Sequence, residues 1–257
     1  MGFKIQYRKE IAMAMEHQAT GQPEMVTEED KHHLPEVVKR YLRFVGCLGK
    51  PGVKNVFVAA RGVMRSAPDA GWMKFRSEQH NFYPDLSRFF YIRAMKAGIP
   101  VAGLHVYREG KATMQIRLVS LFRVADAKGP EMDQGETVTL LNDMCFMAPA
   151  TLTDPRIHWE EKGPLQAGAT LTNGNLRVTG TLTFADDGRL IDFLSHDRFE
   201  TTDGKKYINH PWRTPVVEYR ASGEMILPYR ADVIYIRPEG EFCYGKFELT
   251  TVKYNVG

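Results

Sequence analysis

The chain has 257 residues, a net charge of +3, 43% hydrophobic residues and 25% charged ones. At this length roughly 75% of the unfolded surface is buried on folding, so neither a disulfide nor a structural metal is needed to hold one core together. Lys and Arg alternate with Asp and Glu rather than running in blocks, which predicts a mixed, solvated surface and argues against nucleic acid as a partner.

Phe3 to Gln18 has a weak helical pattern, with Ile5, Ile11, Ala12 and Met15 as its apolar positions, and Gln22-Pro23 breaks it. This first segment carries Lys4, Arg8, Lys9 and Glu10 and no apolar run, so it reads as neither a signal peptide nor a membrane helix. With three unpatterned cysteines (Cys47, Cys145 and Cys243), a cytoplasmic location with reduced thiols is expected. Residues 1–26 are taken as an N-terminal helical extension and 27–257 as one domain. Leu34-Pro35 opens a stronger helix, in which Val37, Val38, Tyr41, Leu42 and Val45 form one stripe and Gly46 can act as the stop.

A long β region follows. Val53–Arg65, Trp72–Phe82, Arg88–Lys96, Val101–Arg108 and Lys111–Phe122 are strands separated by short polar turns, the pattern of an antiparallel meander. Asp126 to Asp154 interrupts it. Asp133-Gln134-Gly135-Glu136 resembles a capping box with Asp in place of Ser or Thr. The run Val138 to Met147 is apolar on nearly every side, which predicts a buried helix filling the hollow of the sheet, too short to span a membrane. Strands resume at Arg156–Glu161 and Gln166–Leu171. The last ones are Val216–Arg220, Glu224–Leu227, Tyr229–Arg237 and Glu241–Tyr254.

The hairpin Leu176 to Phe199 is the clearest single element. Leu176, Val178, Gly180, Leu182 and Phe184 alternate with polar residues, and Asp186-Asp187-Gly188 supplies a turn. An even-length loop pairs Leu182 and Phe184 with Ile191 and Phe193. Continuing that face through Ser195 places the Asp197 carboxylate on the apolar side, where it must be paired or perturbed. Two readings stand: an ion pair with an arginine such as Arg65 or Arg93, or the polar end of an apolar pocket.

Other chemistry weighs less. Adjacent His32 and His33 point apart, and no His-Glu-x-x-His, paired Cys-x-x-Cys or EF-hand loop is present, so neither metal nor cofactor is expected. Cys145 reads as a small core residue. Arg88 and Arg93 among Phe89, Phe90 and Tyr91 could stack on bases, but read better as arginines reaching outward past aromatic neighbours.

Leu34-Pro35 with Val38, Arg40-Tyr41-Leu42, Gly46, Arg65, Trp72, Glu78-Gln79, Asp126, Gly129 and Asp133 form a dispersed set of marks. Pro149, Trp159, Asp197-Arg198, Pro211-Trp212, Tyr219, Pro228 and Tyr244 continue it. This set, over about residues 27–256, resembles a bacterial family known only as a domain of unknown function, which brings no established functional residues. The order of elements also resembles the lipoprotein carriers LolA and LolB, open half-barrels whose helix-covered concave face holds acyl chains. Those carriers are exported or lipidated, and this chain shows neither signal.

The expected fold is α+β: one large curved antiparallel sheet, an open half-barrel, with helices packed on its concave face. The expected function is non-catalytic binding of a hydrophobic or lipid-like small molecule between sheet and helices, with Asp197, Phe184, Phe193, Met114, Met144 and Trp212 as candidate ligand contacts. The alternatives are an enzyme acting on a similar ligand through Asp197 or His196, and an interaction module with a filled cavity.

Overall fold

The computed structural model describes residues 2–18, 21, 23–96, 98–118 and 122–257. Residues 119–121 of the strand expected over Lys111–Phe122, and Gln22 of the expected break, lie outside the described residues.

The first meander is β1 (Asn55–Met64), β2 (Met73–Phe82), β3 (Ser87–Lys96), β4 (Ile99–Arg108), β5 (Lys111–Leu118) and β6 (Phe122–Lys128), each strand antiparallel to the next. A second comprises β7 (Ile157–Gly163), β8 (Gln166–Asn173), β9 (Leu176–Phe184) and β10 (Leu190–Ser195). The short β11 (Phe199–Glu200) and β12 (Ile208–Asn209) pair only with each other. β13 (Trp212–Arg213), β14 (Val216–Ser222), β15 (Met225–Arg237) and β16 (Gly240–Tyr254) complete the chain. Because β16 pairs with β1 and β13 bridges β10 to β15, both meanders join in one 14-stranded antiparallel sheet whose ends are β6 and β7. Bulges at Ala59/Ala60, Ile116/Arg117, Leu190/Asp192 and Val233/Ile234 add bend and twist to it.

The hollow of that curve holds α3 (Pro130–Met147), which touches β5 and β6 on one arm, β8 and β9 on the other and β15 between them. From Met132 to Phe146 every residue but Gln134 is buried, as expected for a helix apolar on all sides. It starts earlier than its apolar run, at Pro130 in the first helical position after Gly129, whose φ of 111° suits glycine. The expected capping box therefore does not form. Asp133 lies inside the helix, where Oδ1 accepts the Ala112 N–H at 2.7 Å and Oδ2 pairs with Lys111 Nζ at 2.9 Å.

The stripe of α2 (Glu36–Val45) is buried as predicted, and Gly46 caps it in the left-handed conformation at φ 74°. Tyr41 donates to the Cys145 carbonyl at 2.7 Å, which locks α2 to α3. The first helix, α1 (Phe3–Glu16), packs on the opposite, convex face of β3 and β4. Its anchors are Phe3 and Tyr7, against Phe82, Phe89, Tyr91 and Leu104, while Ile5 is 60% exposed. The break expected at Pro228 is absent. β15 runs through it because only β14 pairs there, and pairing with β16 begins at Arg230.

The hairpin is right in outline and shifted in detail. Phe193 faces Leu182, but a bulge between Leu190 and Asp192 turns Ile191 outward, and Leu190 takes its place opposite Phe184. Gly180 is on the apolar face because the Phe193 ring covers it: a methyl there would sit 2.6 Å from Phe193 Cζ. Charge mixing also breaks down locally on the convex face. Cross-strand register sets Glu218, Arg230, Glu248, Arg61, Arg76 and Arg93 in one row across six strands, four arginines to two carboxylates, with Arg76 and Arg93 side by side at one end.

Candidate functional site

Between α3 and the concave face lies a cavity of about 370 Å³. One wall is aliphatic, formed by Val58 and Ala60 of β1 and Ala231 and Val233 of β15. Phe90 and Ile92 of β3 and Met114 and Ile116 of β5 continue it. These positions alternate along their strands with residues of the convex face, so the two-residue period of each strand makes the wall.

The other side is polar and built mainly on α3. Glu136 and Asp143 stand seven residues apart, which places them on one helical face. Arg88, on the inner face of β3 and only 6% exposed, serves both: its Nη1 donates to Glu136 Oε2 at 2.9 Å and its Nε to Asp143 Oδ2 at 2.8 Å. The same Asp143 oxygen accepts Gln79 Nε2 at 2.7 Å and Asn81 Nδ2 at 3.1 Å, and Gln79 Oε1 accepts Arg88 Nη2 at 3.0 Å. Gln79 and Asn81 lie opposite Phe90 and Arg88 in the register, so adjacent strands deliver the whole set to one point. His105 Nδ1 lies 3.4 Å from Glu136 Oε1. Burial acts to raise the Glu136 carboxyl, but Arg88, His105 and Arg198 outweigh it and hold that carboxyl well below its usual range. Burial lifts Asp143 above the usual range, against Arg88 and Asn81, and the Glu136 charge adds to the rise. The two acids thus titrate as a unit around one guanidinium, Glu136 the more acidic.

Arg198 borders the cavity from the segment after β10. Its Nη1 donates to the Gly135 carbonyl at 2.8 Å and to Thr139 Oγ1, and its Nε to Tyr235 Oη at 3.3 Å. Its guanidinium lies 4.5 Å from the centre of the Trp212 ring, whose Nε1 donates to Tyr244 Oη at 3.0 Å.

The candidates read from the sequence divide between cavity and core. Met114 and Trp212 line the cavity. Phe184, Phe193 and Met144 are fully packed in the core beside it. Asp197 lies past the end of β10, half-buried, with neither Arg65 nor Arg93 as partner. Its Oδ2 accepts the Thr179 N–H at 2.6 Å and the Thr179 hydroxyl at 2.7 Å. The strand ends at Ser195, so the alternation that would have kept Asp197 on the apolar face stops first. His196 is exposed. Arg88, expected to reach outward, is instead the centre of the buried network, while Arg93 does point out.

A comparison with family models decides the kinship. The chain belongs to DUF6544, a family of unknown function, whose model matches residues 24–247. That agrees with the unknown-function family implied by the marks from Leu34-Pro35 to Tyr244. No curated protein matches the chain. Among solved structures, a domain from Vibrio parahaemolyticus assigned to outer membrane lipoprotein sorting is 11% identical, covers 86% of this chain and 92% of its own, and superposes with a TM-score of 0.45. A LolA superfamily protein from Nitrosomonas europaea is 9% identical, with 86% and 93% covered and a TM-score of 0.44. A DUF1329 family protein from Desulfovibrio piger is 14% identical, with 86% and 93% covered and a TM-score of 0.41. Among the described residues no helix is long and apolar enough to cross a membrane.

Proposed function

We propose that the chain is a binding protein for a small amphipathic molecule, held between the concave face of the sheet and α3. The observation that carries this reading is the cavity itself. Interiors are close-packed, with few voids larger than a water molecule, and about 370 Å³ lies within the span of small-molecule pockets. Small or flexible side chains face α3 where bulkier ones would fill the space: Ala60, Ala231, Val233 and Met114. The wall suits an apolar body. The opposite side is polar, so a molecule with one polar end matches both.

The test is a fluorescence titration with the uncharged apolar dye N-phenyl-1-naphthylamine, on the wild type and on Ala231→Phe, which places a ring in the cavity. Saturable 1:1 binding by the wild type, weakened at least tenfold in the variant with its circular dichroism unchanged, is expected. Equal binding by both proteins would remove the cavity as the site. Native mass spectrometry of the gently purified protein then weighs what it carries.

A further inference from the structure

Two cations that line the cavity lack a carboxylate partner among the described residues, Arg65 and Arg198. Arg65, just past β1, gives Nε and Nη1 to the Cys243 and Pro68 carbonyls, whereas Arg198, partly buried, stands against α3 on the polar side. Arg88 spends all three nitrogens on Glu136, Asp143 and Gln79. Glu200, at the mouth, is taken by Arg237, and both carboxyl oxygens are engaged. Among the described residues Arg198 has no carboxylate partner. Its protein partners are a carbonyl and two hydroxyls, all reached through Nε and Nη1. Glu136 is close enough to act on it electrostatically, but its oxygens go to Arg88 and His105. Among the described residues Nη2 of Arg198 has no acceptor, on a side chain that lines the cavity.

Arg198 is partly buried, and a guanidinium held at such a border is stabilised by an ion pair or by hydrogen bonds to its remaining donors. This one is held in place rather than neutralised. Trp212 stacks on its face, Thr139 and Gly135 fix one edge, and Tyr235, itself stacked on Tyr244 at 5.1 Å, fixes Nε. A pre-oriented cation with an open donor on the polar border of an apolar cavity is the arrangement that anchors an anion at little ordering cost.

We infer that the ligand is a single-chain amphiphile with a monoanionic head, a carboxylate, and that Arg198 is its anchor. This rests on the cavity's being the binding site. At about 370 Å³ the cavity lies toward the small end of small-molecule pockets. That suits a single medium-length chain with its head, of which decanoate is a convenient example.

The experiment is displacement of N-phenyl-1-naphthylamine at pH 8 by decanoate and by decanol, which share a chain and differ in the head. The wild type should prefer decanoate by tenfold or more, the range for a hydrogen bond to a charged group. Arg198→Gln should bind the two alike, and Arg198→Lys should keep part of the preference. Equal binding by the wild type overturns the anionic head, and needs no variant to fold. A preference that survives in Arg198→Gln overturns Arg198 as anchor. Both of those outcomes leave the cavity reading intact. That reading fails instead if the dye binds Ala231→Phe as well as the wild type.

Discussion

Arg88 Nε stands 2.8 Å from Asp143 Oδ2, and through that contact a strand and the central helix share one buried charge cluster. The second carboxylate, Glu136, lies two helical turns away on the same face and takes the other edge of the guanidinium. Removing one partner of such a set leaves uncompensated charge in the interior, which costs about 3–5 kcal/mol, whereas neutralising the set as a whole is far milder. Arg88→Met should therefore lower the unfolding free energy by about 3–5 kcal/mol. Arg88→Met combined with Glu136→Gln and Asp143→Asn should recover more than half of that loss in urea denaturation. A triple variant as unstable as the single one would mean that the cluster acts through shape rather than charge.

That cluster was within reach of the sequence, though not of the pattern used to read it. The apolar run from Val138 marked α3 correctly as buried, and a helix buried all round that also carries Glu136 and Asp143 seven residues apart demands a cation from elsewhere. The cation was hidden by its neighbours. Arg88 sits in an aromatic strand beside Phe89 and Phe90, and only the pairing of β3 with β2, which sets Arg88 opposite Asn81, shows that it points inward. The strands, their turns and the stripe of α2 were legible because they depend on local period and on glycine at fixed turns. The joining of β16 to β1, the bulge at Ile191 and the end of β10 at Ser195 depend on long-range pairing, and Asp197 was misplaced for that reason.

On the convex face, Arg76 of β2 is directly opposite Arg93 of β3, and both are exposed. Like charges across a strand pair destabilise, and opposite charges contribute about 0.2–1 kcal/mol. Arg93→Glu should therefore raise the melting temperature by about 1–4 °C at low salt for a domain of this size. The gain should shrink above about 0.5 M salt as screening sets in. No change at low salt would show that the two side chains are held too far apart to interact, and a decrease that Arg93 has a partner of its own.

His80 carries the acid sensitivity of the α1 contact. It lies under α1, with Nδ1 2.9 Å from Tyr7 Oη and its ring against Phe57 and Phe82. Burial pushes its pKa down to about 4 from 6.5. Above pH 6.5 the imidazole is neutral in both folded and unfolded chains and has no effect on pH dependence. As the pH falls from 6.5 toward 4 the unfolded chain binds a proton that the folded one refuses, so stability is lost across that window, by about 3 kcal/mol in all. Denaturation followed from pH 7 to pH 4 should show this slope in the wild type and a shallower one in His80→Gln, which keeps a polar partner for Tyr7. Equal slopes would place the titration elsewhere.

Asp197 separates a structural from a catalytic role most directly. Its Oδ2 collects the N–H and the hydroxyl of Thr179 at 2.6 and 2.7 Å, so the chain leaving β10 is tied back to β9 by two hydrogen bonds to a charged acceptor. A hydrogen bond to a charged group contributes about 1.5–3 kcal/mol, and water competes for this half-exposed one, so Asp197→Ala should destabilise by about 1–2 kcal/mol. The same segment carries Arg198 at its next residue, so loosening the tie should spread to the cavity border while leaving the aliphatic wall alone. Dye binding is therefore expected to stay within twofold of the wild type, and the decanoate preference to fall by less than it does in Arg198→Gln. Full stability in Asp197→Ala with loss of a measured turnover would reverse the assignment and make Asp197 an acid or base after all.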